Sequence, residues 1–184
     1  MNQTVSESDN RSRSLRALLQ RRSEPGPDGV AGMTADLEAP SGVAPALSSW
    51  PVVLDLLLDE LEQAAGREES QRFLQRVGAR MAEELPLGEP VTLGALEAAI
   101  NRRLSEVEWG WCALRDGGRH LVIEHGDYPV MGRRGERAHQ SLLGLAAILD
   151  GLYRHWLSVQ GGSAELHLAR CHPDQPLLFQ YGEP

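Results

Sequence analysis

Lysine is absent from this chain of 184 residues, and all 18 of its basic residues are arginine. Schiff-base chemistry on a lysine amine and phosphate binding by a P-loop lysine are therefore excluded. Cysteine is scarce too: Cys112 and Cys171 are too few and too far apart to form a disulfide framework. No run of about 18 apolar residues occurs, so the sequence predicts no transmembrane helix.

Basic residues are also fewer than acidic ones. Residues 1–45 carry five arginines against six acidic residues, and the remainder carries 13 against 20, which gives a net charge of −8. A nucleic-acid binder needs a basic face to neutralise phosphates, so this balance argues against nucleic acid as a partner. The first residues contain no apolar core of signal-peptide length, and we therefore expect a soluble cytoplasmic protein.

The motifs of common enzyme chemistry are missing as well. The sequence contains no G-x-S-x-G, no G-x-G-x-x-G and no D-x-D triplet of the kind that holds a metal and a nucleotide in many glycosyltransferases. Zinc sites usually show paired ligands such as C-x₂-C, and no such pair exists here. We therefore expect no metal and no cofactor, with two buried thiols and with histidines at the surface or satisfied in the core. The histidines considered as ligands are His120, His125, His167 and His172.

Two groups of acidic residues are candidates for acid–base chemistry. The first shares one face of the first predicted helix and is expected to be solvated; it consists of Asp55, Asp59 and Glu62. The second lies at the end of a predicted strand and consists of Glu124, His125 and Asp127. An alternative for the second group is a turn held together by Asp127 and Pro129, and this is the favoured interpretation.

Residues 1–45 are predicted to be a disordered extension, because Ser, Gly, Pro, Ala and Asp dominate there. Within this extension, Leu15, Leu18 and Leu19 form one short apolar stripe flanked by arginines. This stretch is either a docking peptide for a partner or an anionic membrane, or a solvated tail that is helical only transiently. The candidate docking residues are Arg13, Arg16, Arg21 and Arg22.

Residues 46–184 are predicted to form one α+β domain with an antiparallel sheet, in the order ααα-ββ-α-ββ. The apolar stripe of the second helix is Phe73, Val77 and Met81, four residues apart, with Leu74 beside them. Helices are predicted from Trp50, over 68–85, after an N-cap at Thr92 and, as a long apolar helix, over 138–160. Strands are predicted over 109–115, 119–125, 164–170 and 177–181, and Asp116-Gly117-Gly118 joins the first two as a hairpin.

Aromatic residues make up only 5% of the chain, and the predicted domain contains Trp109, Trp111, Tyr153 and Trp156 among them. Trp109 and Trp111 are expected on one face of a strand, and Tyr153 and Trp156 near the seam of the long helix. Stacking on sugar rings is one interpretation of these aromatics. Packing in the core or in a subunit interface is the favoured one.

Five motifs, in order and in register over residues 47–184, resemble the cellulose synthase D-subunit family, the operon protein D of bacterial cellulose operons. The helical motifs are Phe73-Leu74-x-Arg76-Val77-Gly78-x-Arg80-Met81-Ala82, Thr92-Leu93-x-x-Leu96-Glu97 with Asn101 and Leu104, and Leu149-Asp150-Gly151-Leu152-Tyr153-x-x-Trp156 with Gln160-Gly161. The strand motifs are Trp109-Gly110-Trp111 and His125-x-Asp127-x-Pro129.

The resemblance implies a non-catalytic accessory protein that forms dimers, and from them a ring-like octamer, beside other components of cellulose synthesis and secretion. Such rings align β-1,4-glucan chains into crystalline fibrils, while a separate membrane synthase uses UDP-glucose. The segment that lines a glucan passage would be Leu47, Ser48, Ser49 and Trp50. The 45-residue extension departs from the short family pattern. A tail at that place would have to thread into or out of any such passage. The implied location is the cytoplasmic side of the inner membrane, with the periplasm as the alternative.

A different class of function also fits the order of elements. Small-ligand or sensor domains with a helical cap on an antiparallel sheet, similar to vinyl-reductase-type and vesicle-tethering domains, have a comparable order. Trp111, Cys112 and Cys171 would then line a pocket. A bound lipid or chromophore in the purified protein would favour this alternative. An enzyme that uses Glu124 and His125 is the third hypothesis.

Overall fold

Four helices and four strands make up the part of the chain that the computed structural model describes, residues 50–129 and 136–182. The α+β class and the antiparallel sheet are confirmed. The predicted extension over 1–45 lies outside the described residues. The elements are α1 (Trp50–Ala65), α2 (Arg67–Glu84), α3 (Leu93–Glu106), β1 (Trp111–Asp116), β2 (His120–Gly126), α4 (Glu136–Val159), β3 (Glu165–Arg170) and β4 (Leu177–Gly182).

Local turn and cap signals account for several of these boundaries. The Thr92 hydroxyl accepts a hydrogen bond of 3.1 Å from the Ala95 amide, which confirms the predicted N-cap of α3. In the β1–β2 turn, the Gly118 amide donates to the Asp116 carboxylate at 2.8 Å, and Gly118 has a φ of 84°. That left-handed backbone favours glycine, so the hairpin signal in the sequence has a direct structural basis.

The sheet has the strand order β1-β2-β4-β3 with every neighbouring pair antiparallel. Its inner face packs against α4: the Tyr153 ring lies 5.8 Å from the Phe179 ring. Helix α4 also packs against α1 and α2, so it is the central layer between the sheet and these two helices. The buried side chains of the inner sheet face are Cys112, Leu114, Leu121, Ile123, His125, Leu166, Leu177, Phe179 and Tyr181.

Helices α2 and α4 approach each other at two glycines. A Cβ atom on Gly78 would lie 1.8 Å from the Ile148 carbonyl oxygen, and one on Gly151 would lie 1.9 Å from the Gln75 carbonyl oxygen. Each helix thus presents a glycine to the backbone of the other. No larger residue fits at either position unless the helices move apart.

The predicted apolar stripe of α2 is buried only in part, at Leu74. Phe73 is 46% exposed, and Val77 and Met81 are half-buried. The buried face instead carries mostly small side chains, because the backbones of α2 and α4 come too close for large ones. These buried residues are Ser70, Leu74, Gly78 and Ala82.

Helix α1 departs from its predicted pattern in a similar way. Asp55 was expected on a solvated face but is fully buried, next to the buried Leu54 and Leu58. Trp50 and Leu57, two apolar residues of the same helix, are 52% and 56% exposed. Helix α1 therefore turns a different face towards α4 than the distribution of apolar residues suggested.

The prediction that Trp109 and Trp111 share one strand face is also wrong. Strand β1 begins only at Trp111, since the backbone has a φ of 56° at Glu108 and 80° at Gly110. These left-handed residues interrupt the two-residue alternation. Trp109 is consequently buried in the core, whereas Trp111 is 37% exposed on the opposite side of the sheet from Cys112.

Candidate assembly surface

An open groove of about 830 Å³ runs along α2. We call the α2 part of this groove the α2 surface and define it by Phe73, Arg76, Val77, Arg80, Met81 and Glu84. Leu85 and Val107 close the groove at the far end of the helix. Its apolar members repeat every four residues and form one continuous line along α2.

Charges on the α2 surface are distributed unevenly along the helix. The Arg76 guanidinium lies 5.9 Å from the centre of the Phe73 ring, where it covers one face of this exposed aromatic. Arg80 pairs with Glu83 of the same helix at 3.4 Å. Glu84 follows at the last position of α2. Positive charge therefore lies in the first part of the surface and negative charge at its carboxyl end.

The outer edge of β1 is covered by polar side chains of α3. The Asn101 amide donates to the Cys112 carbonyl and accepts from the Cys112 amide, both at 2.8 Å. Glu97 accepts from the Leu114 amide at 2.6 Å. These groups would otherwise be free to pair with a further strand, so α3 blocks extension of the sheet on this side.

The other edge strand, β3, is partly covered as well. The Arg154 side chain donates to the Leu166 carbonyl at 2.5 Å and to the Asp150 carboxylate at 2.8 Å. Asp150 also accepts from the Gln75 amide at 3.0 Å. Asp150 and Arg154 of α4 thus connect α2 with β3. The ladder of β3 is also irregular between Leu168 and Arg170.

His125 is buried between the sheet and α4. Its Nδ1 is joined to the Tyr153 hydroxyl by a hydrogen bond of 2.7 Å. Burial lowers the pKa of His125 to about 4, and the Trp109 backbone opposes that shift in part. The imidazole is therefore neutral over the physiological range.

Two thiols and a phenol nearby are also held in their neutral forms. Burial, together with a smaller contribution from the negative charge of Glu97, raises the pKa of Cys112 to about 12. Burial raises the pKa of Cys171 to about 11 and the pKa of Tyr153 well above its usual value. A thiol with so high a pKa is a poor nucleophile, because the thiolate is the reactive form.

The predicted acid–base group is split by the sheet. His125 points to the core, while its neighbour Glu124 pairs with Arg115 at 2.6 Å and Arg170 at 3.4 Å on the opposite face. Successive residues of a strand project to opposite sides, so Glu124 and His125 cannot act on the same substrate atom. Asp127 is exposed, with a φ of 54°, just after β2.

The described residues give no support to a metal or ligand pocket at the predicted positions. Over 50–129 and 136–182, no group of three or more His, Cys, Asp or Glu side chains lies close enough to hold a metal ion. Trp111 and Cys112 face opposite sides of β1 and so cannot line one pocket. None of the helices described is both long enough and apolar enough to cross a membrane.

Comparisons with known proteins decide the family. The family model for the D subunit of cellulose synthase matches residues 33–181. The chain belongs to the cellulose synthase D-subunit family. It is 31% identical over 116 residues to a cellulose synthase operon protein D of Komagataeibacter xylinus, and 30% identical to one of Komagataeibacter sucrofermentans. Each alignment covers 62% of this chain and 72% of the relative. The family supports a role in cellulose synthesis.

A solved structure with a distant likeness comes from outside this family. It is a trafficking protein particle complex subunit 3 from Naegleria fowleri covalently bound to palmitic acid. The TM-score is 0.48 at 14% identity, with 72% of this chain and 96% of the other covered. So low a score carries no argument about function.

The family motifs correspond to packing contacts. Gly78 and Gly151 form the contact between α2 and α4, and Asn101 holds the edge of β1. The Trp156 indole donates to the Leu85 carbonyl at 2.9 Å, and Gln160 donates to the Gly88 carbonyl at 3.0 Å. Together with the buried Leu152 and Tyr153, these residues position α2 and its carboxyl end.

The remaining predicted sites fall largely outside the described residues. Leu47, Ser48 and Ser49 of the expected glucan passage lie outside them, as do Arg13, Arg16, Arg21 and Arg22 of the expected docking stretch. Trp50 is described: it is the first residue of α1, and its indole is exposed. The sequence predicted the apolar stripe of α2 but did not indicate that much of it is exposed, and the α2 surface was therefore missed.

Proposed function

We propose that this member of the cellulose synthase D-subunit family is a non-catalytic accessory protein that assembles into a ring of dimers. The ring holds several synthase complexes in a fixed arrangement, so that their β-1,4-glucan chains align into crystalline fibrils as they emerge. Family membership supports the role in cellulose synthesis. Assembly is a proposal that rests on the surface of the chain.

The observation that carries assembly is the exposure of large apolar side chains on two neighbouring helices. Trp50, Val53, Leu56 and Leu57 are exposed on α1, and Phe73 on α2. Soluble monomers rarely expose contiguous apolar patches of large area. Burying these side chains against other copies removes apolar surface from water, and this stabilises the assembly relative to the monomer.

The absence of catalysis is supported by the arrangement of the candidate groups. Glu124 is held by two arginines on one face of the sheet, and His125 is buried neutral on the other. The thiols of Cys112 and Cys171 stay protonated at neutral pH. These residues serve packing and charge balance.

The contact with glucan is proposed at Trp50, at the start of α1. Its exposed indole has the flat apolar surface on which sugar rings stack in many carbohydrate-binding proteins. The segment before Trp50 continues the proposed passage. Arg13 to Arg22 would then reach a partner or the membrane surface from the cytoplasmic side.

Deletion of the gene distinguishes a scaffold function from a catalytic one. We expect membranes from the deletion strain to retain most of their glucan synthesis from UDP-glucose, whereas fibril order measured by X-ray diffraction falls and returns when the gene is restored. If glucan synthesis in isolated membranes drops to background, the scaffold proposal is wrong.

A further inference from the structure

We propose that the α2 surface is a self-complementary interface on which a second copy of this chain docks, with the two α2 helices antiparallel. This inference rests on the proposed function, because it identifies which face of the protein makes one of the contacts of the assembly. The residues of the α2 surface are only partly buried and make few polar contacts within the chain, and the proposed interface gives them a role.

The shape and composition of the surface suit a helix as its occupant. Phe73, Val77 and Met81 repeat every four residues and so form a straight ridge with an open groove beside it. Leu85 continues this line past the helix end, and its carbonyl is fixed by the Trp156 indole at 2.9 Å. A second helix with the same ridge would fill the groove and cover the exposed Phe73 ring.

The order of charges determines that the second helix runs in the opposite direction. Arg76 lies towards one end of the surface and Glu84 at the other, eight residues later. In an antiparallel pair related by a two-fold axis, Arg76 of each copy meets Glu84 of the other, which gives two ion pairs per dimer. A parallel pair would place Arg76 beside Arg76 and Glu84 beside Glu84.

The two-fold axis would pass near Arg80, the midpoint between Arg76 and Glu84. Two Arg80 side chains then approach each other, and this contact alone would be repulsive. Each Arg80 already pairs with Glu83 of its own helix at 3.4 Å, so part of its charge is balanced within each copy.

The sheet offers a poorer route to assembly than the helices do. Asn101 and Glu97 occupy backbone groups on the edge of β1, and Arg154 occupies the Leu166 carbonyl of β3. Strand addition would have to displace these contacts before new backbone hydrogen bonds could form. A helix face can dock without breaking any of them.

Charge reversal on the full chain tests the interface. Arg76→Glu and Glu84→Arg each replace two attractive contacts by two repulsive ones, and the double variant restores attraction with the signs exchanged. We expect each single variant to raise the dissociation constant of the assembly at least about tenfold, measured by light scattering over a dilution series. The double variant should recover most of the original mass.

Arg72→Glu is the matched control. It makes the same change of net charge on an exposed arginine of the same helix, which pairs with Glu68 and Glu69 and lies outside the α2 surface. The mass should be unchanged. Circular dichroism of every variant checks that α2 remains folded.

Each outcome decides the proposal. Loss of mass in both single variants with recovery in the double variant supports antiparallel self-docking. If the mass of the assembly is unchanged in both single variants, the α2 interface is wrong. The ring remains possible in that case, but it must use another face. Loss without recovery in the double variant, or equal loss in Arg72→Glu, also overturns it. A wild-type chain that is monomeric overturns this inference and the assembly part of the proposed function together.

Discussion

Individual side chains decide how this core accommodates polar groups. His125, Tyr153 and Cys112 lie together in the interior, and burial keeps each in its neutral form. The sequence marked His125 as part of a motif but could not reveal its burial, because that follows from which face of β2 turns inward. Asp55 was misassigned for the same reason, since its burial depends on the rotation of α1 against α4.

The buried histidine makes stability depend on pH. The pKa of His125 is about 4 in the folded chain against an ordinary value of 6.5, so between these values the unfolded chain takes up a proton that the folded chain does not. The contribution is complete above pH 6.5 and falls by up to about 1.4 kcal/mol per pH unit as the pH drops towards 4. Urea unfolding of wild type and His125→Asn across this window measures the difference.

The asparagine variant cannot titrate there but retains an oxygen that can accept from Tyr153. We therefore expect a flatter pH profile for His125→Asn, whatever its absolute stability. His172→Asn, at an exposed histidine, is the control and should keep the wild-type profile. Parallel profiles for wild type and His125→Asn would show that His125 is not the responsible group.

At the scale of helices and strands, the local signals were predictable and the packing faces were not. Thr92 and the Asp116-Gly117-Gly118 turn act through nearby backbone groups, which the sequence places unambiguously. The face of α2 is settled by its distance from α4, and periodicity alone does not give that distance. The buried residues Ser70, Leu74, Gly78 and Ala82 are spaced four apart and three of them are small, and this was the signal that could have identified the buried side.

Gly78→Ala tests the contact between α2 and α4. The added methyl group would lie 1.8 Å from the Ile148 carbonyl oxygen, and backbone on both sides prevents an easy adjustment. We expect a loss of about 3 kcal/mol or more in the free energy of unfolding, measured by urea denaturation at fixed protein concentration.

Gly94→Ala provides the comparison for that experiment. It makes the same change inside α3, where an added Cβ meets nothing within 4 Å. Its effect should be neutral or stabilising by up to about 1 kcal/mol, because alanine is the better helix former. Similar losses in the two variants would mean that the α2–α4 contact is not responsible.

At the scale of the whole molecule, the edges of the sheet are covered by polar side chains, whereas apolar side chains are exposed on α1 and α2. The edges of the sheet are occupied by Asn101, Glu97 and Arg154, while Trp50, Leu57 and Phe73 remain exposed. The resemblance in sequence predicted the family correctly, since its motifs record how α2, α3 and α4 pack. It could not locate the proposed assembly surface, because in the sequence the apolar residues there do not differ from core residues.

The mass of the full chain in solution tests the central claim most directly. One chain has a mass of 20.2 kDa, so eight copies have a mass of about 162 kDa. Light scattering after gel filtration should give a discrete species at that mass, and it should persist on dilution through the micromolar range that stable oligomers withstand. A single species at 20.2 kDa would contradict the account, because the exposed faces of α1 and α2 would then belong to a monomer.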